Sequence, residues 1–356
     1  MKTEFKRIRD WMDVPSRLEP GPRNSITDVP GVTVGHCTKI EGTDVRTGIT
    51  VIKQHQGNVV LQRTPAAIFS GNGHTKVAGS LQIDELGELE SYIALTNTLS
   101  VGTVLQALVD HHKADLRALS FRSLNAVVGE TNDGTLSDIL TTHLTADDLE
   151  SAVAAASEDV AEGAVGAGTG CMCFGFKGGI GTASRVIKGK YIGESRDYTV
   201  GVLTQANFGG NLNIYGHLLP FKPMKEMEIE GASRGSCIMI VATDAPMNQR
   251  QLERLASRAL VGMTACGSFM GNSSGDFAIA FTNSPDSLRD FTDKHVRSFA
   301  AIHNDQINPF FEGVVDAARE AVYNALCMAP DMTGRDGRKA KGFDPRKHSD
   351  LLPLKE

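Results

Sequence analysis

Residues 230–247 read EGASRGSCIMIVATDAPM: a polar approach, a Gly235-Ser236 pair, and then the apolar run Cys237-Ile238-Met239-Ile240-Val241. The run predicts a buried strand, and the pair ahead of it reads as a turn that feeds the strand. A glycine followed by a hydroxyl residue is also what a peptide bond built to break would need, and the stretch alone leaves both readings open. Beyond the strand, Asp244 can cap a helix and Pro246 can occupy its first turn. Leu252, Leu255, Ala256, Ala259 and Met263 then recur on one face. Residues 236–263 therefore predict strand, then helix.

Working outward, β-rich runs at Gly48–Ile52, Val59–Gln62, Ala66–Ser70, Tyr198–Leu203 and Phe277–Thr282 alternate with helical patterns. Thr145 to Val160 opens with a Thr-x-x-Asp cap, and Phe310, Val314, Ala317, Ala321 and Leu326 mark another amphipathic helix. Alternation of this kind predicts mixed α and β layers, in the manner of a layered sandwich. No repeat or low-complexity block interrupts it.

The 356 residues suffice to bury roughly three quarters of the unfolded surface. Charged residues are 22%, apolar residues 41%, and the formal charge is -6, the profile of an ordinary globular protein with no bias toward nucleic acid. Only 334–347, GRDGRKAKGFDPRK, is locally basic. The first residues are charged and lack the apolar run of a signal peptide, and no later stretch approaches about 18 apolar residues, so a cytoplasmic protein without membrane contact is expected. Cys37, Cys171, Cys173, Cys237, Cys266 and Cys327 lack paired CxxC spacing and read as reduced, mostly buried thiols.

The most glycine-dense segment, VGAGTGCMCFGFKGGIGTASR at 165–185, fits neither the dinucleotide nor the nucleotide-phosphate template. Its glycines suit close backbone approach to a neighbouring element or to a substrate. Ten dispersed histidines and a lone Cys171/Cys173 pair predict no metal site, and no cofactor motif occurs. The Gly-x-Ser-x-Gly elbow is absent, so a serine hydrolase would need another way to activate its hydroxyl. Ser236 offers one. If its own hydroxyl cleaves the Gly235-Ser236 peptide through an N-to-O acyl shift, the residue gains a free α-amine with a pKa of about 7.7–8.0, close to working pH. Base and nucleophile then share one residue. Gly235 has no Cβ to obstruct attack on its carbonyl.

Eight segments in one order carry a resemblance: NSITDVPGVTVGH, LTNTLSVG, VGAGTG, GFKGGIGTASR, QANFGG, RGSCIMIVATDAPM, GNSSGDFAIAFTN and MTGRDGR. Across about 24–338 the chain resembles the self-processing L-aminopeptidase/D-amidase/D-esterase family, which includes the β-peptidyl aminopeptidases. The resemblance implies an α-β-β-α sandwich like that of N-terminal nucleophile hydrolases, with its own connectivity. It implies a single catalytic domain over 1–356, cut into 1–235 and 236–356, and a tetramer of processed protomers acting on short peptides, amino-acid amides or esters.

The family's nucleophile falls on Ser236, its Ser-Gly-acid triplet on Ser274, Gly275 and Asp276, and its oxyanion asparagine on Asn207. Its amine-binding acid falls on Glu130 in GETNDG. Read without the family, Ser274–Asp276 is a loop before a strand, Asn207 a turn residue before Gly209-Gly210, and Glu130 a surface acid. Some relatives carry a tyrosine where this chain has Asn132, whose amide can still donate a hydrogen bond; preference among L-, D- and β-residues stays open. Two other readings compete with this one. The similar ornithine acetyltransferases also self-process, but they cut before threonine, and Ser236 disfavours that activity. A processed binding protein without catalysis would lack the nucleophile or the oxyanion donor, whereas Ser236 and Asn207 are both present.

Overall fold

The computed structural model describes residues 5–219 and 235–355; the polar approach at 230–234 lies outside the described residues. The principal elements are β1 (Thr33–Glu41), β2 (Val45–Lys53), β3 (Gln62–Gly73), β4 (Ile93–Asn97), α1 (Val101–His111), β5 (Val127–Thr131) and α2 (Ala146–Ala154). They continue with β6 (Gly179–Ile187), β7 (Tyr198–Asn207), β8 (Gly235–Thr243), α3 (Gln249–Ala265), β9 (Ser274–Thr282) and α4 (Asn308–Cys327).

Two mixed sheets result. One runs β1-β2-β4-β5 and ends on the short strand Val77–Ala78; the other runs β6-β7-β8-β9-β3. In the second sheet β8 is central, antiparallel to β7 and parallel to β9. Alternation along β8 assigns its two faces. Cys237, Met239 and Val241 pack in one core with Leu252, Leu255 and Ala259 of α3 and with Phe310, Val314 and Ala317 of α4. Ile238, Ile240 and Ala242 pack in another with Ile52, Ile93, Leu95 and Val127 of the first sheet. A third core joins Val51, Ala94 and Val128 to Val104, Leu108, Leu149 and Val153 of α1 and α2. Three cores separate four layers, so the chain is an α-β-β-α sandwich.

Covering both faces explains why residues 237–241 are continuously apolar rather than alternating. Truncating one such side chain, as in Ile240→Ala, costs about 2–5 kcal/mol. The glycine-dense segment serves close packing between elements: a Cβ on Gly181 would lie 1.9 Å from the Ala321 carbonyl oxygen, so the glycine lets α4 settle on β6.

Four local readings need correction. The strand expected at Val59–Gln62 is a turn through residue 61, because the Asn58 side chain accepts from the Val60 and Leu61 amides; the strand starts at Gln62. Asn248, not Asp244, caps α3 through a capping box with Gln251. Asp244 instead accepts the Thr199 amide. The Thr145 capping box stands, but the helix it starts ends at Ala154. The Ser274–Asp276 segment is the first turn-free part of β9, not a loop, since parallel pairing with β8 supplies its partners.

Candidate active site

Ser236 is the second residue of β8, and its register neighbours define the site. On one side it faces Asn207, the last residue of β7; on the other it faces Gly275 of β9, with Gly235 opposite Ser274 and Cys237 opposite Asp276. Ser236 is 3% exposed, so the hydroxyl is held at the edge of the packed interior rather than in free solvent. Period-2 alternation turns it toward the first sheet, on the face of Ile238 and Ile240. That sheet supplies the contact: the Asn132 main-chain amide, one residue past β5, donates to Ser236 Oγ at 3.3 Å.

Asn207 is held at both ends of its amide. Oδ1 accepts the Met172 amide at 2.8 Å, and Nδ2 donates to the Asn132 carbonyl at 3.0 Å. One Nδ2 hydrogen stays uncommitted by these bonds, on the residue that pairs in register with Ser236. Ser236, Asn207 and the Asn132 backbone thus form one hydrogen-bonded group. The side chain of Asn132 is exposed, and its Oδ1 accepts the Gly134 amide in a local turn, a bond that does not use the Nδ2 donor.

Ser274 donates to Asp276 Oδ1 at 3.0 Å, while Asp276 Oδ2 is buried without a partner among the described residues. Burial pushes the Asp276 carboxyl up to about 6, against the opposing effect of the Ser274 hydroxyl. Among the described residues no hydrogen bond joins this pair to Ser236 Oγ. Asp276 shares strand parity with Ala278 and Ala280, which pack on the helix side. The pair and the Ser236 hydroxyl therefore take opposite faces of the sheet, and the main-chain nitrogen of Ser236 lies in the plane between them. Gly275 is required by packing, since a Cβ there would sit 2.2 Å from Thr75 Cβ.

Glu130, on β5, is 1% exposed rather than a surface acid. Its Oε1 accepts the main-chain amide of Lys76 at 3.1 Å and the Lys76 ammonium at 3.3 Å, and its Oε2 accepts the Thr98 hydroxyl. Neither Lys76 nor Thr98 was singled out by sequence, although Thr98 lies in LTNTLSVG.

Two further supports went unrecognised. Lys177 is wholly buried and donates to the carbonyls of Gly168, Cys171 and Gly178, tying down the loop whose Met172 amide holds Asn207; burial lowers its pKa to about 8. Gln205 of β7 donates to the Thr96 carbonyl and the Thr131 hydroxyl, pinning one sheet to the other beside the site. Among the described residues no group of three or more His, Cys, Asp or Glu side chains is arranged to hold a metal ion. The six cysteines form no disulfide, and all but Cys37 are buried. No described helix is long and apolar enough to cross a membrane.

Comparison with known proteins agrees with this architecture. The family model of peptidase family S58 matches residues 24–340. The β-peptidyl aminopeptidase BapA of Sphingosinicella xenopeptidilytica is 39% identical over 95% of this chain and 88% of its own. Among solved structures, a Burkholderia sp. β-aminopeptidase superposes with a TM-score of 0.86 at 38% identity, covering 98% of both chains. The L-aminopeptidase D-Ala-esterase/amidase of Ochrobactrum anthropi, described as a new variant among the Ntn hydrolase fold, superposes with a TM-score of 0.86 at 32% identity over 97% of this chain and 99% of its own. With the family model covering most of its length, the chain belongs to peptidase family S58, a family of aminopeptidases.

Proposed function

We propose that this protein is a self-processing aminopeptidase that also takes amino-acid amides and esters, with Ser236 as its N-terminal nucleophile. The observation that carries the reading is the placement of Ser236 Oγ at the head of β8, within reach of the Asn132 amide and beside the clamped Asn207 side chain. In maturation, Oγ attacks the Gly235 carbonyl carbon and its proton passes to the departing nitrogen of Ser236. Water then hydrolyses the resulting ester, leaving a Gly235 carboxylate and a Ser236 with free hydroxyl and free amine. Residues 1–235 and 236–356 remain one catalytic unit.

In turnover the Ser236 amine takes the hydroxyl proton as Oγ attacks the substrate carbonyl, and the same amine returns the proton to the leaving group. Water, activated by the same amine, then attacks the acyl ester on Oγ, releasing the first residue with its carboxylate and restoring the Ser236 hydroxyl. The Asn132 amide and the free Nδ2 hydrogen of Asn207 are placed to donate to the developing oxyanion. Ser274 and Asp276, on the far side of the strand, serve the Ser236 amine rather than its hydroxyl. Glu130 receives the free ammonium of the substrate, which restricts cleavage to the first residue. The names of the relatives span β-peptides, an L-aminopeptidase and D-Ala esters and amides, so the shared requirement is a free amine ahead of an acyl group.

The test compares L-alanine, D-alanine and β-alanine p-nitroanilides with their N-acetyl forms. A charge-assisted hydrogen bond is worth roughly 1.5–3 kcal/mol, and an unpaired buried carboxylate adds to the loss. Acetylation should therefore lower kcat/KM about 100-fold or more for the preferred substrate, and Ser236→Ala should abolish hydrolysis of all of them. Equal rates on free and acetylated forms would refute the aminopeptidase assignment.

A further inference from the structure

If Glu130 receives the substrate ammonium, the position is not empty before substrate arrives. Lys76 precedes the two-residue strand Val77–Ala78, which pairs antiparallel with Val128 and Gly129 of β5, and this places its residue alongside Glu130. The main-chain amide of Lys76 anchors one carboxylate oxygen, and its side-chain ammonium lies 3.3 Å from the same oxygen. The two partners differ in exposure: the Glu130 side chain is 2% exposed, the Lys76 side chain 52%. The carboxylate is fixed in the interior, and the lysine has an open path to solvent.

We propose that Lys76 is a resident cation that occupies the amine-binding position of Glu130 and is displaced by the ammonium of the substrate, which makes it a specificity-determining residue. The inference rests on the amine-reading role of Glu130 proposed above. Three physical points support it. A buried carboxylate left without a counter-charge is costly, and Lys76 removes that cost in the free enzyme. Two ammonium groups on one carboxylate repel each other at close range, so a bound substrate drives the lysine outward. The outward swing is inexpensive, because a half-exposed lysine regains hydration and rotamer freedom. The main-chain bond from Lys76 to Glu130 survives the swing, so the carboxylate keeps its position.

Lys76 thereby weakens substrate binding by the strength of the bond it must give up. An ion pair with one well-exposed partner contributes up to about fivefold in an equilibrium constant. Because a neutral N-terminus does not displace it, Lys76 narrows the preference for a free amine by the same factor.

The test uses processed enzyme with Lys76→Met, and with Lys76→Gln as a second variant that keeps a polar side chain; both retain the anchoring main-chain amide. On a free-amine p-nitroanilide KM should fall about three- to fivefold with kcat changed less than twofold, and butylammonium should inhibit with a Ki lowered by a similar factor. KM for the N-acetyl substrate should not move in this direction. In a Glu130→Gln background the Lys76 substitution should have no effect on KM for the free amine. An unchanged or raised KM and Ki in both Lys76 variants, with Glu130→Gln still erasing the preference for the free amine, would overturn the proposal and leave the amine-reading role intact. Failure of Glu130→Gln to narrow that preference would refute the amine-reading role, and the resident-cation proposal with it.

Discussion

Removing the amide of Asn207 is the substitution whose consequences the structure specifies most fully. In Asn207→Ala three things are lost together: the uncommitted Nδ2 hydrogen beside Ser236, the acceptor for the Met172 amide and the donor to the Asn132 carbonyl. The first is the catalytic loss that the proposed oxyanion role implies. One oxyanion donor is worth about 10²- to 10³-fold in kcat, or roughly 2.7–4 kcal/mol of transition-state stabilisation. The other two are structural losses of about 1–3 kcal/mol each at most, reduced where water reaches the vacated volume. Against a total stability of roughly 5–15 kcal/mol the variant should still fold.

Asn207→Asp separates the two classes. It keeps an acceptor for Met172 but supplies no donor and places a charge beside the Asn132 carbonyl, so it should lose activity on the same scale. The assay is kcat on a free-amine p-nitroanilide, using only fully processed protein, because the proposed self-cleavage would pass through its own oxyanion at Gly235. A loss of less than about fivefold in both variants, with the fold retained, would refute the placement of the oxyanion site.

The remaining predictions concern β9. Asp276 has a folded pKa of about 6, raised by burial above the roughly 3.9 of an unfolded chain, so folding favours its neutral form and stability should fall as pH rises from about 4 to about 6 and level off above. Denaturant titrations of Asp276→Asn should lose that slope, and its pH profile of kcat/KM should lose a limb near pH 6 while keeping the one due to the Ser236 amine; an unchanged profile would remove Asp276 from the catalytic group. Gly275→Ala should destabilise the protein by about 1–3 kcal/mol through the clash with Thr75, and Thr75→Gly should recover much of that in a double-mutant cycle; additive effects would show that the contact is not what demands glycine.

Most of the layered architecture was legible because it rests on local pattern. The run at 237–241 needs only its continuous apolarity to be read as a buried strand, and the stripes from Leu252 to Met263 and from Phe310 to Leu326 only their helical period; all of these residues pack in the interior. The errors arose where a side chain or a distant strand decides the backbone. Nothing within Ser274-Gly275-Asp276 favours extended structure; the parallel register with β8 imposes it. Val59 and Val60 look like strand residues until the Asn58 side-chain oxygen, accepting the Val60 and Leu61 amides, folds them into a turn. The site followed the same division. Ser236, Asn207 and Glu130 lie in recognisable segments, whereas Met172, Lys76 and Gln205 act through a main-chain amide, an ion pair between neighbouring strands of one sheet and a bridge between the two sheets, contacts that only the tertiary pairing creates.

The central claim, that Ser236 becomes an N-terminal nucleophile, is tested most directly by intact mass under denaturing conditions for wild-type protein and Ser236→Ala. The account predicts two wild-type chains, one ending at Gly235 and one beginning at Ser236, and a single uncut Ser236→Ala chain without activity. An active wild-type protein of undivided mass would contradict it, and a Ser236→Ala protein cut at the same bond would show that the hydroxyl of Ser236 does not do the cutting.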